Sequence, residues 1–123
     1  MNCTTTNPEF VKRMVVDAEN LTALRQKFFN NETLTEEEIK TVINTKPHHK
    51  EVNWGPNRIS MVPWNSLEHL HKAIEDTVKK NIPGDFVETG AWRGGACIIA
   101  KSIYNDLKVD KKVYVADSFE GLP

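Results

Sequence analysis

Apolar positions recur at helical spacing through about residue 82 and then switch to short strand-like runs. Phe10, Met14 and Ala18, with Leu21, Leu24 and Phe28, predict two short helices or one broken helix. Asn31-Glu32-Thr33-Leu34 reads as a loop. Thr35 and Glu38 then fit a capping box, and the acidic run Glu36, Glu37, Glu38 suits the positive end of a helix dipole. A helix start accounts for these acids better than a metal site does. Ile39, Val42 and Ile43 supply its apolar stripe. Residues 46–64 hold Pro47, Gly55, Pro56 and Pro63 and read as loop. Leu67, Leu70, His71, Ile74 and Val78 follow i, i+3, i+4, i+7, i+11, an amphipathic helix starting at Asn65 or Ser66. Lys79, Lys80 and Asn81 close it ahead of Pro83-Gly84.

The last third reads differently. Residues 85–89 form a short strand, residues 90–95 a glycine-rich turn, and residues 96–107 a helix with Ala96, Ile99, Ala100, Ile103 and Leu107 on one face. Residues 112–116 form a second strand ending at Asp117. The order β-α-β implies two parallel strands joined by a right-handed crossover. This is the opening unit of a Rossmann-like α/β fold, preceded by a helical region over residues 1–82. Ligands of such sheets bind at the carboxyl ends of the strands.

Composition narrows the function classes. With 39% hydrophobic and 27% charged residues and a formal net charge of −1, the chain has no electrostatic grip for nucleic acid or an anionic membrane. Its polar N-terminus is no secretory signal, and no run approaches the roughly 20 apolar residues of a membrane span. Cys3 and Cys97 lie far apart, which fits free thiols in a reducing, cytoplasmic setting better than a disulfide. Adjacent His48 and His49 do not share a face and read as solvated loop residues. Trp54 and Trp64 read as tucked onto a core, with a lid over a ligand as the alternative.

The turn carries the candidate chemistry. Gly90 can take backbone angles closed to other residues and lets a ligand approach the main chain. Gly94 and Gly95 open the helix, whose free amides favour an anionic group. Asp117 is placed to accept hydrogen bonds from a ribose diol, each worth about 1.5–3 kcal/mol when well made. The turn reads E-x-G-x-x-x-G-G rather than G-x-G-x-x-G, and its spacing to Asp117 suits any nucleoside-binding unit. Charge discriminates better. A dinucleotide would bring its pyrophosphate beside Glu88, and like charges about 4 Å apart at an effective dielectric near 20 repel by roughly 4 kcal/mol. S-adenosylmethionine instead brings a sulfonium and an ammonium, while its carboxylate can use the helix amides or Arg93. Each residue has a plainer reading beside this one: Glu88 as a solvated strand-end acid, Asp117 as a turn residue before Ser118, Arg93 as a surface cation.

Residues 84–98, Gly84-Asp85-Phe86-Val87-Glu88-Thr89-Gly90-Ala91-Trp92-Arg93-Gly94-Gly95-Ala96-Cys97-Ile98, resemble the first motif of the macrocin O-methyltransferase (TylF-type) family. Val115-Ala116-Asp117-Ser118-Phe119-Glu120-Gly121-Leu122-Pro123 resembles its second motif. Ile59-Ser60-Met61 and the helix from Leu67 are more loosely similar, and the first sixty residues match weakly or not at all. The resemblance implies a class I methyltransferase fold whose cofactor-binding domain begins at residue 83. It also implies S-adenosylmethionine as methyl donor, magnesium in the full-length family, and a hydroxyl-bearing, sugar-like acceptor. By position, Glu88 and Gly90 would line the methionine part, with Thr89, Arg93 and Gly94 as cofactor-binding residues of the turn beside them. Asp117 would hold the ribose, Ser118 and Phe119 would lie near the adenosine, and Ser60 and Met61 would touch the cofactor from the flank. The family's metal ligands and catalytic base lie beyond the matched motifs, so neither role is assigned to a residue here. The chain is therefore expected to be an incomplete fragment, inactive alone, with its second strand's edge open to a missing half or to another copy. The alternatives are a non-catalytic relative that binds cofactor or a partner chain, and a nicotinamide-dependent (NAD) oxidoreductase.

Overall fold

The computed structural model describes residues 7–16, 21–46 and 58–122. Cys3, Ala18, Pro47, His48, His49, Trp54, Gly55, Pro56 and Pro123 lie outside them. The elements are α1 (Pro8–Val15), α2 (Thr22–Phe29), α3 (Glu36–Asn44), α4 (Trp64–Lys79), β1 (Phe86–Thr89), α5 (Gly95–Asp106) and β2 (Val113–Ala116).

Local chemistry sets the helix ends. Asn7 Oδ1 accepts from the amides of Glu9 and Phe10 at 3.0 and 3.3 Å, and Pro8 follows in the first turn, where its missing N–H costs nothing. The N-terminal apolar pattern resolves into two helices, α1 and α2. At α3 the capping box is closed both ways: Thr35 Oγ1 accepts from Glu38 N at 3.2 Å and Glu38 Oε2 accepts from Thr35 N at 2.9 Å. Thr35→Ala is expected to cost about 1 kcal/mol, read as a lower midpoint in urea denaturation.

The helix α4 begins at Trp64, one or two residues earlier than the expected start at Asn65 or Ser66. Pro63 is its N-cap, and the Pro63 carbonyl accepts from the amides of Ser66 and Leu67 at 3.0 and 3.1 Å. The reason is tertiary. Trp64 is buried, with Lys12 Nζ and Arg13 Cζ of α1 lying 5.2 and 5.0 Å from its ring centre, so the first helical residue is an anchor. Trp64 is thus tucked rather than a lid. At the other end Asn81, at φ 52°, turns the chain out before Pro83.

Strands β1 and β2 pair in parallel, Phe86 with Val113 through Thr89 with Ala116. Helix α5 covers one face of this sheet, and α1 and α4 pack on α5 from the far side. One hydrophobic core therefore joins Phe10, Met14, Leu67 and Ile74 to Ile99, Ala100 and Ile103. The other face of the sheet is bare: Val87 is 61% and Tyr114 51% exposed. Parallel strands are normally covered on both faces. The 123-residue chain is accordingly expected to self-associate. Light scattering after size exclusion checks this, and a monodisperse monomer with a cooperative melt would contradict it.

Candidate functional site

The tips of β1 and β2 meet at the glycine turn. Gly90 follows β1 at φ 72°, its N–H donates to the Ala116 carbonyl at 2.9 Å, and no atom occupies the space where a Cβ would stand. The turn is tethered to β2 by Asp117. Its Oδ2 accepts from Trp92 N at 3.0 Å, and its Oδ1 accepts from Phe119 N at 3.0 Å. Hydrogen bonds from the backbone amides of Phe119 and Trp92 hold the Asp117 carboxyl below the ordinary aspartate range. The folded value being the lower one, the tether is fully present above about pH 3.9 and is lost as pH falls through that lower value. Amide exchange at Trp92 and Phe119 should accelerate together in that acid window. Asp117 is thus a turn organiser. The Ser118 hydroxyl also lies 3.5 Å from Oδ1, and the amides of Ala91 and Ser118 add to the hold on the carboxyl, so its acceptor positions serve the turn first.

The two glycines that open α5 serve different ends. Gly94 is the N-cap at φ 74°, with open space around it and no side-chain cap on the helix. Gly95 is needed for close approach: a Cβ there would stand 2.5 Å from Ser60 Cβ and 2.6 Å from the Ile59 carbonyl oxygen. Residues 58–62 therefore form a strap across the first turn of α5. Arg58 Nε donates to Ser60 O at 2.9 Å, the Ile59 amide donates to Val15 O of α1 at 3.0 Å, and the Val62 amide donates to Ser60 Oγ at 3.1 Å. Arg93 holds the same strap, donating from Nη1 to Arg58 O at 2.8 Å while its guanidinium lies 4.5 Å from the Trp92 ring centre.

The structure thus gathers Glu88, Thr89, Gly90, Arg93, Gly94, Asp117, Ser118 and Phe119 at one end of the sheet, with Ser60 and Met61 on the strap beside α5. Ser60 is buried and its hydroxyl is engaged, whereas Met61 is exposed. Arg93 is neither a free surface cation nor an uncommitted anion ligand, because it already holds the strap. Glu88 is half-buried, and its Oε2 accepts from Cys97 Sγ at 2.9 Å. An open groove of about 930 Å³ between α5 and β2 is lined by Trp92, Ile98, Val115 and Phe119 among others. Sequence reasoning missed the Trp92 amide, the Arg58 anchor and the Cys97 thiol. Trp92 and Cys97 lie inside the first motif but carry no role there that spacing reveals, and Arg58 lies outside it; each acts through a contact across 25 to 35 residues or, for Cys97, across the turn.

These residues suit a cofactor with a cationic centre and a ribose: open space at Gly90, an uncapped helix start, and an acid at each strand tip. They do not suit magnesium. Among the described residues no group of three His, Cys, Asp or Glu could hold a metal ion. Among the same residues no helix is long and apolar enough to cross a membrane.

The chain is similar to known proteins along its length. Residues 2–123 match the family described as "Macrocin-O-methyltransferase (TylF)". The match includes the first sixty residues, where the motifs alone gave weak likeness or none. The chain is 37% identical over 102 residues to demethyldecarbamoylnovobiocin O-methyltransferase of Streptomyces niveus, covering 82% of this chain and 36% of that protein. It is 45% identical over 65 residues to mycinamicin III 3''-O-methyltransferase of Micromonospora griseorubida, covering 52% and 26% respectively. Among solved structures, that of the O-methyltransferase NovP superposes with a TM-score of 0.55 at 46% identity, over 57% of this chain and 29% of that one. The chain thus spans 36% or less of the length of each of these relatives.

Proposed function

The chain belongs to the macrocin O-methyltransferase family, and from that premise we propose that it supplies the S-adenosylmethionine cradle of an enzyme that methylates a hydroxyl of a small, sugar-like molecule. Its fold is the partial Rossmann-like start of a class I methyltransferase. The observation that carries the proposal is the placement of Glu88 and Asp117 on the neighbouring strands beside the open glycine turn. Residues 83–123 begin the cofactor domain, and the helices of residues 1–82 buttress α5 and the strap.

Bound there, S-adenosylmethionine supplies a methyl group on a positive sulfur. In this reading Glu88 and Gly90 face the methionine portion and Asp117 the ribose. Thr89 and Gly94 frame the turn, and Ser118 and Phe119 border the adenosine. The strap, with Met61 exposed on it, walls the flank. Deprotonating the acceptor hydroxyl falls to residues outside this chain's described site, as does holding magnesium. The acceptor class is inferred from relatives named as O-methyltransferases of demethyldecarbamoylnovobiocin, mycinamicin III and a rhamnosyl-bearing tetracenomycin.

Calorimetric titration of the 123-residue chain with S-adenosylmethionine tests the assignment. Asp117→Ala is expected to weaken binding by more than about tenfold, the loss of well-made bonds to a charged acceptor. Glu88→Gln is expected to cost less. Wild-type affinity in both variants would remove these residues from the site.

A further inference from the structure

The first turn of α5 presents one more side chain to the strand tip that carries Glu88. Cys97 is buried, is a free thiol, and lies with Sγ 2.9 Å from Glu88 Oε2. Burial first, and the adjoining Glu88 second, push this thiol up to about 12, so it stays an S–H donor at ordinary pH. The character of the donor matters. A lysine or arginine in its place would fix the carboxylate but also cancel its charge. A neutral thiol fixes the side chain and leaves the charge available. Among the described residues no cation is paired with Glu88.

We propose that Cys97 is a positioning residue, whose thiol donates to Glu88 Oε2 and holds that carboxylate ordered yet uncompensated for the cationic part of the cofactor. The inference rests on the S-adenosylmethionine reading and extends it to a residue that need not touch the ligand. It accounts for a buried thiol on the strand-facing side of α5, where an alanine or valine would pack as well but leave Glu88 Oε2 without its donor.

The test compares two ligands on the 123-residue chain. S-adenosylmethionine carries the sulfonium and the ammonium, whereas 5′-methylthioadenosine shares the adenosine and carries neither. In Cys97→Val, which keeps the bulk and loses the donor, preference for S-adenosylmethionine is expected to narrow by about three- to tenfold, as for one lost hydrogen bond. Affinity for 5′-methylthioadenosine should stay within about twofold, because the adenosine contacts are untouched. Cys97→Ser, which restores a donor, should recover the preference. A merely structural role would weaken both ligands alike or neither, and either result overturns the inference. Should the wild-type chain show no preference for the cationic ligand, the cofactor reading itself fails and this inference with it. A wild-type preference that survives in Cys97→Val refutes the Cys97 inference alone.

A ligand-free arm checks the contact itself. In a Cys3→Ser background, Glu88→Gln should lower the pH at which thiolate absorbance appears, since the nearby negative charge is gone. An unchanged titration would show that thiol and carboxylate do not meet.

Discussion

Gly95→Ala is expected to destabilise the chain by about 3 kcal/mol, the upper part of the range for overpacking. By helix propensity alone alanine should gain about 1 kcal/mol there, so the sign of the effect is diagnostic. The clash is with backbone: the added Cβ meets the Ile59 carbonyl at 2.6 Å, and a carbonyl held in a strap cannot rotate away as a side-chain end can. The neighbouring Gly94→Ala meets no atoms and suffers only its φ of 74°. It should therefore cost about 1–2 kcal/mol. Urea denaturation of the two variants at one protein concentration separates the accounts. A Gly95 variant as stable as wild type would mean that the strap does not lie on α5.

Lys12→Ala is expected to cost about 2–4 kcal/mol, and Lys12→Met about half as much. The Lys12 side chain is fully buried, yet its ammonium lies 2.5 Å from Glu9 Oε1, against Glu68 Oε1, and 3.1 Å from His71 Nδ1. Removing it leaves two carboxylates facing each other over an empty stem. Glu9 and Glu68 keep 41% and 36% of their side-chain surface exposed, so water can take over part of their solvation. That places the cost at the lower end for a broken buried pair. Methionine restores the packing but not the charge. Burial works against ionised Glu9, but hydrogen bonds from Lys12 and Arg13 outweigh it and hold its carboxyl below the usual glutamate range. That contribution is present above the ordinary glutamate value and fades as pH falls through the lower folded one. The difference between wild type and Lys12→Met should accordingly shrink in acid. A pH-independent difference would locate the effect in packing alone.

These two variants are linked. Lys12 ties α1 to α4, the Val15 carbonyl at the end of α1 takes the Ile59 amide, and Ile59 rests on Gly95. A packing network thus runs from the N-terminal helices to the turn that opens α5.

The parts of this arrangement that were legible in the sequence are those written in local chemistry. The capping box at Thr35 and Glu38, the apolar stripe from Leu67 to Val78 and the β-α-β order around Gly90 each follow from spacing over a few residues. The glycine turn was correctly located, but the two glycines that open α5 looked alike. Only the tertiary approach of Ile59 and Ser60 tells Gly95 from Gly94. The start of α4 was misplaced because Trp64 pays for its helical conformation with burial against α1, which local propensity does not encode. Lys12 was passed over for a similar reason. A lysine between Val11 and Arg13 reads as surface, and its burial depends on Glu68 and His71 fifty-six and fifty-nine residues away. At the site, Asp117 was expected as a ligand or as a turn residue. The amide bonds to Trp92 and Phe119 establish the second role.

The most direct measurement is amide chemical-shift mapping of the isotopically labelled chain titrated with S-adenosylmethionine and, in parallel, with NAD. Saturable shifts with the sulfonium compound alone, concentrated at residues 88–95 and 117–119, are the expected result. Saturable shifts at the same amides with the diphosphate-bearing ligand, or with neither, would contradict the account.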